Sequence, residues 1–387
     1  MSQARILILS AKYGEGHFQA GEALAQKIKA KWSSQVEVSH LDFGHLFFKK
    51  TDYFLRTAYT NMVTKTPEIW RLIFEKTINS HLSGLKKFVS GVGCGTLMNY
   101  FQDFSYDLIV CTHFIPAGIL AEYKRKRLLT VPLVTVITDY LVHGIWIYPE
   151  VDLYLVGSSD ASFRLQKAGI HREKILLTGI PLRPGFDHKL PKEESKKQLG
   201  LCAEKKTVLV MGGSAGHSGK EFEILDSLRP LAETLPVQFL FVCGSDQDLY
   251  RELASKIKKD PAVQARIYGY VHNIPQLMAA SDLLITKGGA LTISEALSSG
   301  LPLIMYKPIP GHENGNAAFV VKGGAGVKVT SPQELRSSVK YLLQNPDKLT
   351  EMSSAAVKLL PPQAADKAAK AVLGLVEDQG FKNKVIV

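Results

Sequence analysis

Two apolar runs in this chain stop in the same way. "RILILS" (Arg5–Ser10) gives way to "AKYGEGHFQAG", where Gly14, Gly16 and Gly21 surround His17 before a helical pattern takes over. "KTVLVM" (Lys206–Met211) gives way to "GGSAGH". A short apolar run ending in a glycine turn that opens a helix reads as the first βα unit of a parallel sheet. Meeting it once near the start and again past the midpoint constrains the chain to an α/β plan repeated in two halves.

The intervening segments keep that alternation. Gln19–Lys31 carries Ala20, Leu24 and Ile28 on one helical face, and Val36–His40 reads as the next strand. "YDLIVCTH" ends on His113, "PLVTVITD" ends on Asp139, and "VDLYLVGS" leads into a helix reaching Ala168. Pro181, Pro184 and Gly185 in "GIPLRPGF" mark a hinge. The expected division is a first domain over 1–185, a second over 186–365, and a helical tail over 366–387 that packs back on the first. One long segment, Leu46–Tyr100, departs from the alternation: it is aromatic, basic and expected to be helical, with a break at Pro67.

A length of 387 residues exceeds one ordinary core, in keeping with two domains. The net charge of +11 attracts anions of any kind. No zinc-finger spacing, heptad-linked basic region or single-strand-binding pattern accompanies it, so a nucleic-acid partner is not expected. The four cysteines are widely spaced; Cys111 and Cys243 lie in apolar runs and read as reduced, buried thiols of a cytosolic protein. The N-terminal stretch does not read as a signal peptide, and no apolar run is long enough to span a bilayer.

Three segments of the second half carry recognition chemistry. In "MGGSAGH", Gly212, Gly213 and Gly216 suit a phosphate-binding turn, or simply a tight strand–helix turn. In "TKGGALTISEAL", Gly288 and Gly289 precede a helix, and Glu295 is either a ribose-binding carboxylate or a solvated helix glutamate. In "KPIPGHENGN", His312, Glu313, Asn314 and Asn316 offer mixed donors and acceptors to a sugar, or form a polar turn.

Taken jointly, "GxGHxxA", "TDY", "GIPLRPGF", "MGGSAG", "TKGGALTISEAL" and "KPIPGHENGN" resemble the monogalactosyldiacylglycerol synthases of plants and the processive diacylglycerol glucosyltransferases of Gram-positive bacteria. The transferase that adds N-acetylglucosamine to lipid I is a more distant likeness. The resemblance implies two facing Rossmann-like domains (a GT-B fold) with an interdomain cleft. It implies inverting transfer of galactose or glucose from a UDP-sugar to the free hydroxyl of 1,2-diacylglycerol, without a metal or other cofactor.

By the same resemblance, Gly14, Gly16 and His17 lie near the donor diphosphate and the acceptor. Gly212, Gly213 and Ser214 flank the phosphates, and Tyr270 and Val271 sit beside the uracil. Gly288, Gly289 and Glu295 form the phosphate turn and the ribose ligand, and His312, Glu313 and Asn316 meet the sugar and diphosphate. His17 is the expected base, with Asp139 supporting it or acting in its place. The family pattern carries glutamine where this chain has His312, which blurs the choice of sugar; the motif wording leans to galactose. An anionic membrane surface is the expected partner of the aromatic–basic segment Phe47–Phe88 and of "YKRKR" (Tyr123–Arg127), placing the protein peripherally on the cytoplasmic side of the cell membrane. Competing readings are a UDP-N-acetylglucosamine 2-epimerase-like enzyme, a murein-type transferase, and a non-enzymatic UDP-sugar sensor.

Overall fold

The computed structural model describes residues 3–12, 15–47, 100, 105–188, 190–212 and 220–382. Gly14, Gly213, Ser214 and the aromatic–basic stretch from Phe48 to Phe88 lie outside the described residues. The chain forms two compact units, Met1–Pro184 with Pro361–Val387, and Gly185–Leu360.

In the first unit, strands β1 (Ala4–Ser10), β2 (Val36–Asp42), β3 (Leu108–Cys111), β4 (Leu133–Val136), β5 (Leu153–Val156) and β6 (Ile175–Leu177) form one sheet in the order β2-β1-β3-β4-β5-β6. Every pairing is parallel. Ile6, Leu7, Ile8 and Leu9 are all fully buried, because successive side chains enter cores on opposite faces. Leu7 and Leu9 pack with Ile109, Cys111 and Tyr154 against α3 (Phe114–Arg125) and Trp146. Ile6 and Ile8 pack with Val110, Val134 and Leu155 against Leu24 and Ile28 of α1 (Glu15–Trp32). Between β2 and β3 lies a short α2 (Phe43–Phe47), and α4 (Ser159–Lys167) links β5 to β6.

The expected helix over 19–31 starts earlier than its apolar pattern. Glu15 in the first turn favours the positive end of the helix dipole, so Gly16 and His17 are helical residues and not part of a loop.

The second unit repeats the plan. Its strands β7 (Lys206–Met211), β8 (Val237–Val242), β9 (Ala265–Tyr268), β10 (Leu283–Thr286), β11 (Leu303–Tyr306) and β12 (Gly326–Val329) are ordered β12-β11-β10-β7-β8-β9, all parallel. This is the 3-2-1-4-5-6 arrangement of dinucleotide-binding sheets. One face packs Val208, Phe239, Ile285 and Tyr306 against α6 (Glu221–Thr234), α7 (Gln247–Lys258), α11 (Pro332–Gln344) and α12 (Pro346–Leu359). The sequence between β6 and β7 holds α5 (Lys192–Gln198), and α8 (Ile274–Ala279), α9 (Ala290–Ser298) and α10 (His312–Lys322) follow β9, β10 and β11.

Residues past 360 rejoin the first unit through α13 (Ala364–Lys382). Ala368, Ala369, Val372 and Leu373 complete the α1 face of its core, and Asp366 pairs with Lys27 and Lys31. Gly179, at φ +85°, lets the turn after β6 approach this helix: a Cβ there would lie 2.8 Å from Ala364 Cβ.

Candidate active site

In the first unit the chain leaves β1 toward β2 on one side, and the strands from β3 onward run out on the other. The carboxyl ends of β1 and β3 therefore flank the topological switch point, where open α/β sheets bind ligands. His17 follows β1, Thr112 and His113 follow β3, and Thr138 and Asp139 follow β4.

Thr112 grips His17 twice. Its hydroxyl donates to the His17 carbonyl at 2.8 Å, and its carbonyl lies 3.0 Å from His17 Nδ1. The Thr138 hydroxyl lies 2.6 Å from the same nitrogen. A carbonyl only accepts, so Nδ1 carries the hydrogen and Nε2 of the neutral ring carries the lone pair. Thr112 and Thr138 were not singled out by sequence. The signal was position: each directly precedes a residue that was, His113 and Asp139.

Asp139 is buried beside Thr138. His113 sits edge-on to His17, with ring centroids 4.7 Å apart. Its Nδ1 accepts the Ile115 N–H at 3.2 Å and caps α3. Burial holds His113 well below the usual histidine range, helped by the nearby His17 and His143. It is a neutral cap, consistent with a polar strand end. Trp146 and Phe114 complete an aromatic wall, with Trp146 6.1 Å from the His17 ring.

In the second unit the switch point lies between β7 and β10. Gly212 ends β7; Gly288 and Gly289 follow β10. Gly288 adopts φ +107°, and a Cβ on it would sit 3.3 Å from the Glu313 carbonyl. Gly289 is the N-cap of α9, and a Cβ there would meet nothing within 4 Å. Packing therefore does not require glycine at 289, and its absent side chain leaves the first N–H groups of α9 approachable. Glu295, one turn into α9, is 2% exposed and not the solvated glutamate its segment alone suggested.

Three lysines gather at these strand ends. Lys220 Nζ donates to the Lys307 carbonyl at 2.6 Å, Lys307 pairs with Glu223 at 2.6 Å, and Lys287 pairs with Glu313 at 3.1 Å. Burial lowers the Lys220 pKa; Glu313 opposes this, and Lys287 and Lys307 add to it. None of the three was singled out by sequence, because single lysines in a basic chain carry no pattern.

Glu313 also accepts the Ile309 N–H at 2.8 Å, and Asn316 donates to the Gly288 carbonyl at 3.3 Å. Asn316 and the Lys287–Glu313 pair thus brace the two turns against each other, the Ile309 bond closes the turn before Glu313, and His312 opens α10 at a half-buried position. Tyr270 follows β9 and is 47% exposed, with Val271 beside it.

Asp246, which follows β8, caps α7 by accepting the Leu249 N–H, and Asp248 pairs with Arg251. Among the described residues no cluster of three His, Cys, Asp or Glu fits a metal. In "YKRKR", Tyr123 is a core residue, Lys124 pairs with Asp152, and Arg125 and Lys126 pair with Glu122. No helix among the described residues is long and apolar enough to cross a membrane.

Residues 17–182 match the model of monogalactosyldiacylglycerol (MGDG) synthase, and residues 207–372 match the glycosyltransferase family 28 C-terminal domain. A processive diacylglycerol β-glucosyltransferase of Bacillus cereus is 31% identical over 369 residues, covering 95% of this chain and 93% of the relative. The chain belongs to the MGDG synthase and diacylglycerol glucosyltransferase family. A relative of the same name from Bacillus anthracis is also 31% identical, over 369 residues, covering 95% of this chain and 93% of its own length.

Solved structures share the family's GT-B fold at lower identity. MurG of Acinetobacter baumannii aligns with TM-score 0.66 at 15% identity, over 96% of this chain and all (100%) of that one. HepE of Anabaena, in complex with UDP-glucose, aligns with TM-score 0.55 at 18% identity, over 96% of this chain and 99% of its own.

Proposed function

We propose that this protein is an inverting hexosyltransferase that moves glucose from UDP-glucose to the free hydroxyl of 1,2-diacylglycerol, releasing UDP. The observation that carries the reading is the pair of contacts that Thr112 and Thr138 make at His17 Nδ1. Thr112 and Thr138 engage Nδ1, and Nε2 of the neutral ring is the nitrogen assigned as base for an alcohol O–H. The hydroxyl oxygen then forms the new bond to the anomeric carbon as the bond to the diphosphate oxygen breaks. UDP departs with that electron pair.

The second unit supplies the electrostatics of departure. Lys220 and the N-terminus of α9 offer positive charge to a diphosphate at the switch point, beside Lys287 and Lys307, which are held in ion pairs with Glu313 and Glu223. This requires no metal. Glu295 takes the ribose hydroxyls, and Tyr270 and Val271 flank the uracil. Gly16 and Gly212 let backbone approach the phosphates, and His312, Glu313 and Asn316 complete the sugar side; Gly14, Gly213 and Ser214, given the same role by the family resemblance, lie outside the described residues. Asp139 supports the base from the turn after β4.

The motif wording leaned toward galactose. The names of the relatives, glucosyltransferases at 31% identity over 95% of the chain, favour glucose and repeated transfer. The acceptor implies work at an anionic bilayer surface on the cytoplasmic side, with the protein held peripherally.

The test is UDP release by purified protein on anionic vesicles containing diacylglycerol, with UDP-glucose and UDP-galactose in parallel. Glucosyl-diacylglycerol and its dihexosyl product are expected. UDP release that ignores diacylglycerol, or epimerised UDP-sugar in its place, would remove the assignment.

A further inference from the structure

A chain of side chains runs from the surface to the back of His17. Glu22 Oε2 lies 2.8 Å from His40 Nδ1, His40 Nε2 lies 2.8 Å from Ser10 Oγ, and Ser10 Oγ lies 2.7 Å from Thr112 Oγ1. Thr112 Oγ1 donates to the His17 carbonyl at 2.8 Å. Ser10 and Thr112 are fully buried, and the His40 side chain is 4% exposed.

The helix is built around this chain. Gly21 of α1 faces it, and a Cβ at that position would lie 2.4 Å from Ser10 Oγ and 2.8 Å from His40 Nε2. A glycine in a helix interior costs about 0.5–1 kcal/mol relative to alanine. Here it makes room for the His40–Ser10 link.

Counting hydrogens gives the chain a direction. The last link ends on a carbonyl, so the Thr112 hydroxyl must donate there. Thr112 then accepts from Ser10, and Ser10 accepts from His40 Nε2–H. His40 Nδ1 faces a carboxylate, which also only accepts. The four links need four hydrogens; the two hydroxyls and a neutral imidazole supply three. The fourth is a proton.

We propose that Glu22, His40, Ser10 and Thr112 are positioning residues for His17, and that one proton shared by Glu22 and His40 completes the chain that holds it. The idea rests on His17 being the base. The charged groups facing His40 are Glu22 and Lys29 from α1 and Asp42 on its own strand, with the Phe18 ring packed 4.4 Å away. Burial pushes the His40 pKa down, Glu22 and more weakly Asp42 pull it up, and Lys29 opposes them. The net direction is downward. The chain is complete below that midpoint and one link short above it, so the grip on His17 loosens as pH rises through a value under the ordinary histidine figure of about 6.5.

Ring-nitrogen NMR of the full-length protein, with labelled histidine, reads this directly. His40 should pass between imidazolium and neutral forms, and the His17 ring signals should show an inflection at the His40 midpoint. Ser10→Ala, which removes the bridging hydroxyl, should abolish that inflection while His40 still titrates. It should also lower kcat on the order of tenfold with KM for UDP-glucose unchanged. Glu22→Gln, at a half-exposed site, should move the His40 midpoint further down.

A His17 ring blind to His40, or a His40 neutral at every pH where the fold survives, overturns the proposal. If the coupled titration is present but no hexose is transferred, the chain stands and the catalytic reading falls. If hexose is transferred without the coupling, the reverse holds.

Discussion

His17 shows how a backbone atom can decide side-chain chemistry. Its ring offers two nitrogens, and the Thr112 carbonyl assigns the hydrogen to one of them. His17→Ala should lower kcat by about a hundred- to ten-thousandfold, the usual span for a lost general base, with little change in KM for UDP-glucose. Steady-state kinetics on diacylglycerol vesicles checks both numbers; an equal loss through KM would reassign the residue to binding. Lys287→Ala should act the other way, raising KM for UDP-glucose, and UDP binding by calorimetry should weaken with it. The lost Glu313 partner adds to this, because a buried carboxylate is left with one fewer cation. As candidates, His17 was legible in the sequence because its motif places it at the start of a helix after a strand, and Glu295 because its motif places it within a helix that follows a glycine turn. Thr112, Thr138 and the three lysines were not, because threonine and lysine at strand ends look the same in any α/β protein.

At the scale of elements, the first-unit core depends on a helix from the far end of the chain. Val372 is fully buried with Leu24 and Ile28. Val372→Asp places an unpaired charge in that core, so the thermal midpoint should fall sharply or the first unit should fail to fold, as read by calorimetry. In the second unit, burial works to raise the Asp282 pKa, but Lys192 at 2.7 Å, the Thr207 N–H at 2.8 Å and Lys206 together hold it below the usual aspartate range. A depressed carboxylate stabilises the fold above its unfolded pKa of about 3.9 and loses that contribution as pH falls through the folded value. Asp282→Asn should therefore lower the melting temperature at pH 7, and its difference from wild type should shrink steadily on acidification below about pH 4. A difference that grows with acid would contradict the ion-pair account.

For the whole molecule, the net charge of +11 suits attraction to anionic surfaces, which the proposed acceptor makes testable. Vesicle co-sedimentation should strengthen with anionic lipid and weaken as salt rises, since each well-placed cation is worth about 1 kcal/mol near such a surface. Under the proposed mechanism, in which lysines and a helix end would neutralise the departing diphosphate, turnover should persist in excess chelator. Loss of turnover in chelator, restored by a divalent cation, would overturn that view.

The amino-acid sequence by itself determined the α/β class, the doubled plan, the family and most of the residues at the strand ends. These are local or additive properties: an apolar run, a glycine turn, a helical period and a set of motifs read one after another. What only the tertiary structure decided is which of those residues meet. The order of strands places β1 beside β3, and so Thr112 against His17 across 95 residues of chain. It returns α13 to the first unit, and it turns Glu313, through Lys287, and Asn316 into braces between two loops. Parallel pairing joins segments far apart in the chain, and no local pattern records which strand lies next to which.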